Sequence, residues 1–264
     1  MSLPPILNDK DANAPSVFLP EALLREARRQ KGLAFAAVPR LCILDPDGDV
    51  VRRLKALGHL NRFDGWPCYH TDLYTFTLGG ERVGILGRVV GAPFAVLVAE
   101  ELAACGCRFL VSLTSAGQIV AAGKPPYFVV IDRALRDEGT SYHYAEAGAF
   151  ADADPHVVVA AANALKSTAL PVFVGASWTT DAPFRETAKA VEAARAKGVL
   201  AVEMEAAALY TFARVRGVSV LCLAHVTNTM GLADLDFEKG EADGTVDALT
   251  VLEAVAKAML AGQG

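Results

Sequence analysis

The sequence has no run of apolar residues long and uninterrupted enough to cross a bilayer, which excludes a helical membrane span. It also lacks a block of basic residues. With 25 Lys and Arg against 30 Asp and Glu, the formal charge is −5. That balance points to neither a nucleic acid nor an anionic membrane as partner. A small anionic ligand stays compatible with it, because a few local arginines are enough to hold one. Cysteine is sparse and unpatterned. Cys42 and Cys222 lie inside apolar runs and read as small core residues. Cys105 and Cys107 are separated by one residue, unlike zinc or redox motifs, and no His/Cys/Asp cluster has ligand spacing. No metal and no organic cofactor is therefore expected. The odd count of thiols and the lack of a secretory leader point to a reducing, cytoplasmic setting. No linker, repeat or low-complexity stretch divides the 264 residues. One domain spanning 1–264 is expected, with 1–19 as an irregular N-terminal arm.

What the chain does have is apolar residues, 53% of the total, with a mean hydropathy of +0.31. That is enough for a substantial core. Residues 19–32 have helical spacing. Beyond Pro39 the pattern alternates. Apolar runs at 41–44, 83–91, 109–114, 127–131, 172–176, 199–202 and 218–223 read as strands. Helices are predicted at 50–57, 93–105, 181–197, 205–214 and 247–259. Gly198 is placed to end the Ala-rich helix 181–197. Continuously apolar strands with helices between them predict an α/β sheet covered on both faces. In such sheets ligands lie beyond the carboxyl ends of the strands.

Four polar segments follow predicted strands. Gly48-Asp49-Val50-Val51-Arg52 opens a helix, where free N–H groups and the helix dipole favour an anion. Taken alone it reads as an ordinary strand-to-helix turn with a surface Arg. Thr114-Ser115-Ala116-Gly117 offers hydroxyls and N–H groups at a glycine turn, which suit phosphate oxygens but are also common turn chemistry. Val202-Glu203-Met204-Glu205-Ala206-Ala207 places two carboxylates at a helix start. Simple capping accounts for them, yet two acids there are costly unless exposed or paired, and a carboxylate accepting from vicinal hydroxyls fits a ribose. His225-Val226-Thr227-Asn228 offers Asn228 as both donor and acceptor, which suits a nucleobase edge, or as a plain turn residue.

Together and in this order, the four segments resemble the nucleoside phosphorylase family that includes uridine phosphorylase and hexameric purine nucleoside phosphorylase. The resemblance runs from about Leu41 to the last helix. The Glu203-Met204-Glu205 segment is similar to the family's ribose signature. Gly48 to Arg52 resembles its Gly-Asp-Pro-x-Arg phosphate motif with Val50 in place of Pro. Arg136-Asp137-Glu138-Gly139-Thr140-Ser141-Tyr142-His143 resembles a segment of uridine phosphorylase-like members. The resemblance implies a single-domain, three-layer α/β fold with a mixed, partly barrel-like central sheet. It implies a homo-oligomer (dimer, trimer or hexamer) whose neighbouring subunit often completes the site. By carry-over Glu205 holds the ribose hydroxyls, Glu203 and Met204 line the sugar, and Gly48, Arg52 and Ser115 hold phosphate. Phe184 stacks on the base, with Trp178 as a second aromatic that reads equally as core.

Two departures bear on mechanism. Ser112 stands where the family places an arginine before the second phosphate turn, and Ser cannot supply that charge. Arg88, or Arg62 from a neighbouring subunit, is the candidate replacement. Hexameric purine phosphorylases carry an acid at the position of Asn228, and uridine phosphorylases follow their Asn with Arg, where this chain has Thr229. The expected activity is phosphate-dependent, reversible cleavage of a nucleoside's N-glycosidic bond, with pyrimidine or 6-oxopurine bases ahead of adenine. Catalysis is assigned to Glu205, Asn228 and Arg52, with inorganic phosphate as co-substrate. The alternatives are a hydrolytic nucleosidase and a nucleoside-binding protein without catalysis.

Overall fold

The computed structural model describes residues 4–8, 10–12, 14–229 and 239–261. Of the expected arm, residues 1–3, 9 and 13 lie outside the described residues; Pro5–Leu7 forms one 3₁₀ turn. The elements then run α1 (Pro20–Lys31), β1 (Leu41–Asp45), α2 (Asp49–Ala56), β2 (Asn61–Arg62), β3 (Tyr74–Leu78), β4 (Glu81–Gly87), α3 (Ala92–Ala104), β5 (Phe109–Gln118) and β6 (Tyr127–Asp137). They continue with β7 (Phe150–Asp152), α4 (Pro155–Leu165), β8 (Val172–Thr180), α5 (Ala188–Arg195), β9 (Ala201–Glu203), α6 (Ala206–Arg216), β10 (Ser219–Thr229) and α7 (Thr245–Ala261).

All ten strands join one mixed sheet. β5, β10, β6, β8 and β9 close on themselves, because β10 pairs with both β5 and β6 while β9 returns to β5. This ring is the barrel-like part. An open arm, β1-β4-β3-β2, extends from β5. Helices α1, α3 and α6 pack together, as do α2, α4 and α7, and members of each group touch the sheet, which gives three layers. One core cluster runs from Leu24 to Met259, and a smaller one surrounds Trp178. β1 is buried throughout, as its apolar run Leu41–Leu44 requires, and it ends in the buried Asp45. No helix of the described residues is long and apolar enough to cross a membrane.

Several boundaries differ from expectation, each for a tertiary reason. The glycine turn expected at 115–117 is part of β5, because β10 pairs with that strand as far as Gln118. Residues 225–228 likewise lie inside β10. The helix expected at 181–197 is a 3₁₀ turn (Pro183–Arg185) followed by α5. Asp181 accepts the N–H of Gly139 at 2.8 Å instead of capping a helix, and Thr187 supplies the cap by accepting from Ala190. β4 stops at Gly87 because Arg88 takes a left-handed φ of 64°. α4 was not foreseen, although Asp154 caps it and Pro155 stands at its first turn.

Candidate active site

The β9–α6 corner is built on Glu203. Its Oε1 accepts the hydroxyls of Ser177 (2.9 Å) and Thr179 (2.5 Å), and its Oε2 accepts the N–H groups of Glu205 and Ala206, both at 2.7 Å. These are the otherwise orphaned donors of the helix start. Glu203 is 4% exposed, so it serves as an internal cap and has little left to offer a ligand. Burial raises its pKa.

Glu205, two residues on, is different. Its Oε1 accepts the N–H of Gly91 at 2.7 Å, which ties it to the start of α3. Gly91 has φ 88°, a conformation that L side chains rarely adopt, and this lets the backbone turn its amide inward. Oε2 of Glu205 is buried with no partner among the described residues. Burial, then the charges of Glu203 and Asp47, push its pKa up to about 8. A buried carboxyl with a free oxygen is costly unless a donor arrives. Met204, half-buried, stands between the two acids.

The strand ends of β1, β4 and β5 meet beside it. Asp45 accepts the N–H of Gly48 at 3.2 Å and of Val51 at 2.8 Å and so caps α2. Burial raises its pKa to about 7. Asp47 accepts both the hydroxyl and the N–H of Ser115, each at 3.0 Å. Asp49 pairs with Lys239 (2.7 Å) and Arg52 (2.7 Å), and Arg52 also binds Asp243 at 2.9 Å. The expected phosphate residues are therefore brought together, but acids already use most of their donors. The N–H of Gly48 faces Asp45, Ser115 faces Asp47, and the guanidinium of Arg52 is exposed and paired. Arg88 is the exception. It is exposed and makes no ion pair among the described residues, and its stem lies against Gly48. Ser112 is 1% exposed inside β5, and its hydroxyl has no partner among the described residues. Arg62 is exposed and paired with Asp72 at 2.8 Å.

The acids fall in the short segment Asp45-Pro46-Asp47-Gly48-Asp49 between β1 and α2. Their alternation at a strand end was the available signal. Lys239 had none, since it joins the site from the segment before α7. His225 also enters the site. Its ring stacks on Phe128 at 4.4 Å, its Nε2 is buried without a partner among the described residues, and burial lowers its pKa to about 4.

The base-side residues are spread out. Asn228 lies half-buried on β10, opposite Gly117. Phe184 is 98% exposed on its 3₁₀ turn and lines no wall of this site. Trp178 is core, donating from Nε1 to Asp137 at 3.0 Å. Arg136 braces the segment after β6, donating to Ser141 and to the carbonyls of Ala145 and Glu146. Gly139, Thr140 and His143 of that segment line a cavity of about 900 Å³ with Pro93 of α3 and Phe18 of the arm. Neither Glu205 nor Met204 lines it. Among the described residues no group of three or more His, Cys, Asp or Glu is placed to hold a metal ion.

The site thus stands at the strand ends of a mixed α/β sheet part of which closes into a ring. A uridine phosphorylase from Vibrio fischeri ES114, solved with 6-hydroxy-1-naphthoic acid, shares the fold with a TM-score of 0.72 at 20% identity, covering 89% of this chain and 99% of that one. Uridine phosphorylase of Thermococcus kodakarensis is 27% identical over 216 residues, 74% of this chain and 77% of its own length. A DeoD-type purine nucleoside phosphorylase of Bacillus cereus is 30% identical over 162 residues, 59% of this chain and 67% of its own. Both of these relatives are pentosyltransferases. The family model of the phosphorylase superfamily matches residues 40–261. The chain belongs to that superfamily.

Proposed function

We propose that this chain is a pentosyltransferase that reversibly cleaves the N-glycosidic bond of a nucleoside, with phosphate as the acceptor. The observation that carries the reading is Glu205, with one oxygen anchored to Gly91 and the other buried and without a partner among the described residues. Vicinal ribose hydroxyls supply the missing donors. Cleavage places positive charge on the ribosyl group and negative charge on the departing base. A carboxylate against the sugar stabilises the first, and an amide donor at Asn228 stabilises the second. The named relatives support phosphate as acceptor, as does Arg88 just past β4, which makes no ion pair among the described residues. Asn228, which is no acid, favours a pyrimidine or 6-oxopurine base. The exposure of Phe184 and Arg62 supports a homo-oligomer in which each is offered to a neighbouring site.

A second reading, with water as the acceptor, is favoured by one observation: Asp45, Asp47 and Asp49 occupy the strand ends and engage the donors that phosphate would need. The test is a nucleoside panel assayed with the purified chain, with and without phosphate. Strictly phosphate-dependent release of base supports phosphorolysis, and phosphate-independent release supports hydrolysis. Binding without turnover across the panel would overturn both.

A further inference from the structure

We propose that Asp47 is the base that takes the proton from the incoming acceptor, an oxygen nucleophile that arrives carrying its own O–H. The proposal rests on the reading of Glu205 as the ribose group. Two sources share that chemistry, water and a protonated phosphate oxygen.

Asp47 is held as a base should be. Ser115 binds one carboxylate oxygen through its hydroxyl and the other through its N–H, each at 3.0 Å. The plane of the carboxylate is thereby fixed, and each oxygen keeps a lone pair for a further donor. Its side chain is 30% exposed, so an acceptor can reach it. Lys239 Nζ stands 3.7 Å away.

A second, independent feature marks the same cleft as a place for a polar ligand. His225 lines it beside Asp47 and Ser115, is 6% exposed, and keeps Nε2 buried without a partner among the described residues. A polar guest in the cleft would satisfy that nitrogen. Ser115, which holds Asp47, lies two residues from Gly117, and Gly117 pairs with Val202 at the start of the corner that carries Glu205.

Electrostatics select the kind of acceptor. Asp47 repels a fully ionised oxyanion but accepts from an O–H donor; the other two carboxylates are already engaged, Asp45 by Gly48 and Val51 and Asp49 by Lys239 and Arg52. In the step, the acceptor oxygen forms its bond to the anomeric carbon as the C–N bond breaks. The electron pair of that bond leaves with the base. The acceptor's proton moves to Asp47 and from there to solvent, and the base takes a proton from solvent. No oxidant or metal is involved.

The test uses Asp47→Ala and Asp47→Asn in the full chain, with nucleoside as substrate and phosphate present or absent. Turnover is expected to fall about 100- to 10,000-fold, the range for loss of a general base, with KM for nucleoside little changed. Azide has no proton to lose. It is expected to restore turnover in Asp47→Ala and to yield the glycosyl azide, while leaving wild type unaffected. A merely structural role would give no azide rescue. Should Asp47→Ala fail to fold, Asp47→Asn carries the same test, since its amide oxygen can still accept from Ser115. Full turnover in a folded variant, or a loss that azide does not relieve, overturns the base role while leaving Glu205 untouched. Absence of nucleoside cleavage by wild type overturns both. Dependence of wild type on phosphate identifies which O–H is used.

Discussion

Glu203 Oε2 accepts the backbone N–H of Glu205 at 2.7 Å, so the position of the second acid is set by the first. The two are separated by one residue in sequence and are expected to respond oppositely to the same substitution. Glu203→Gln puts an amide NH₂ against donors and leaves at least one unmet, at a cost of about 1–3 kcal/mol. Thermal melting of that variant should show the loss. Glu205→Gln removes no partner from Oε2, so it should melt near wild type while turnover falls about 100-fold or more. Wild-type activity in Glu205→Gln would refute the ribose assignment.

Ligand binding should move a proton. The pKa of Glu205 stands at about 8 in the free chain, so the carboxyl is largely protonated at neutral pH. Ribose hydroxyls donating to it favour the ionised form and lower that pKa. Nucleoside binding at pH 7 is expected to release up to about one proton. Calorimetric titration in buffers of different ionisation heat measures this directly, and it should vanish in Glu205→Gln.

The same group sets a pH slope on stability. An acid whose pKa is raised on folding binds its proton more tightly in the folded state. Its contribution to stability therefore falls as pH rises from the unfolded value, 4.5, to about 8. Asp45, raised to about 7, acts in the same direction. His225, lowered to about 4, acts oppositely and only between pH 4 and 6.5. Above pH 6.5 the melting temperature of wild type should decline towards pH 8, and Glu205→Gln should decline less.

Arg88 sits at φ 64°, where an L side chain is strained by roughly 1–2 kcal/mol. Arg88→Gly should therefore melt no lower than wild type and still bind nucleoside. If Arg88 supplies the missing phosphate charge, KM for phosphate rises at least tenfold in that variant. An unchanged phosphate KM would remove Arg88 from the site.

Phe184, 98% exposed, should be replaceable by Ala within about 0.5 kcal/mol of wild-type stability. A rise in KM for nucleoside that accompanies an intact oligomer would place Phe184 in a neighbour's site. No change in KM would remove it from the base assignment.

Much of the fold could be read from hydrophobic pattern because β5, β6, β8 and β10 each carry a largely apolar run in their first half. What could not be read was where pairing continued. Ser115 and Asn228 look like turn residues, and only each other's strand reveals that both lie in a sheet. Glu203 and Glu205 were legible as a pair but not as a division of labour, since that depends on Ser177 and Thr179 from a strand more than twenty residues away. Gly48 and Arg52 illustrate the converse. Their local sequence announces an anion site, and the partners that alter it, Asp45 and Asp243, act through the folded chain.

The closed circuit of β5, β10, β6, β8 and β9 has no free edge. A register slip or inserted residue in any of these strands would have to be accommodated by the whole ring at once. β1 and β4 belong to the open arm, which ends at the exposed strand β2 and can absorb a change at its rim. Glu203 and Ser115 are thus carried by the part of the molecule least able to drift, while Asp45 and Arg88 are carried by the part most able to. The seam between them is bridged by Asp47 and Ser115, so a shift of the arm relative to the ring is felt first at that pair.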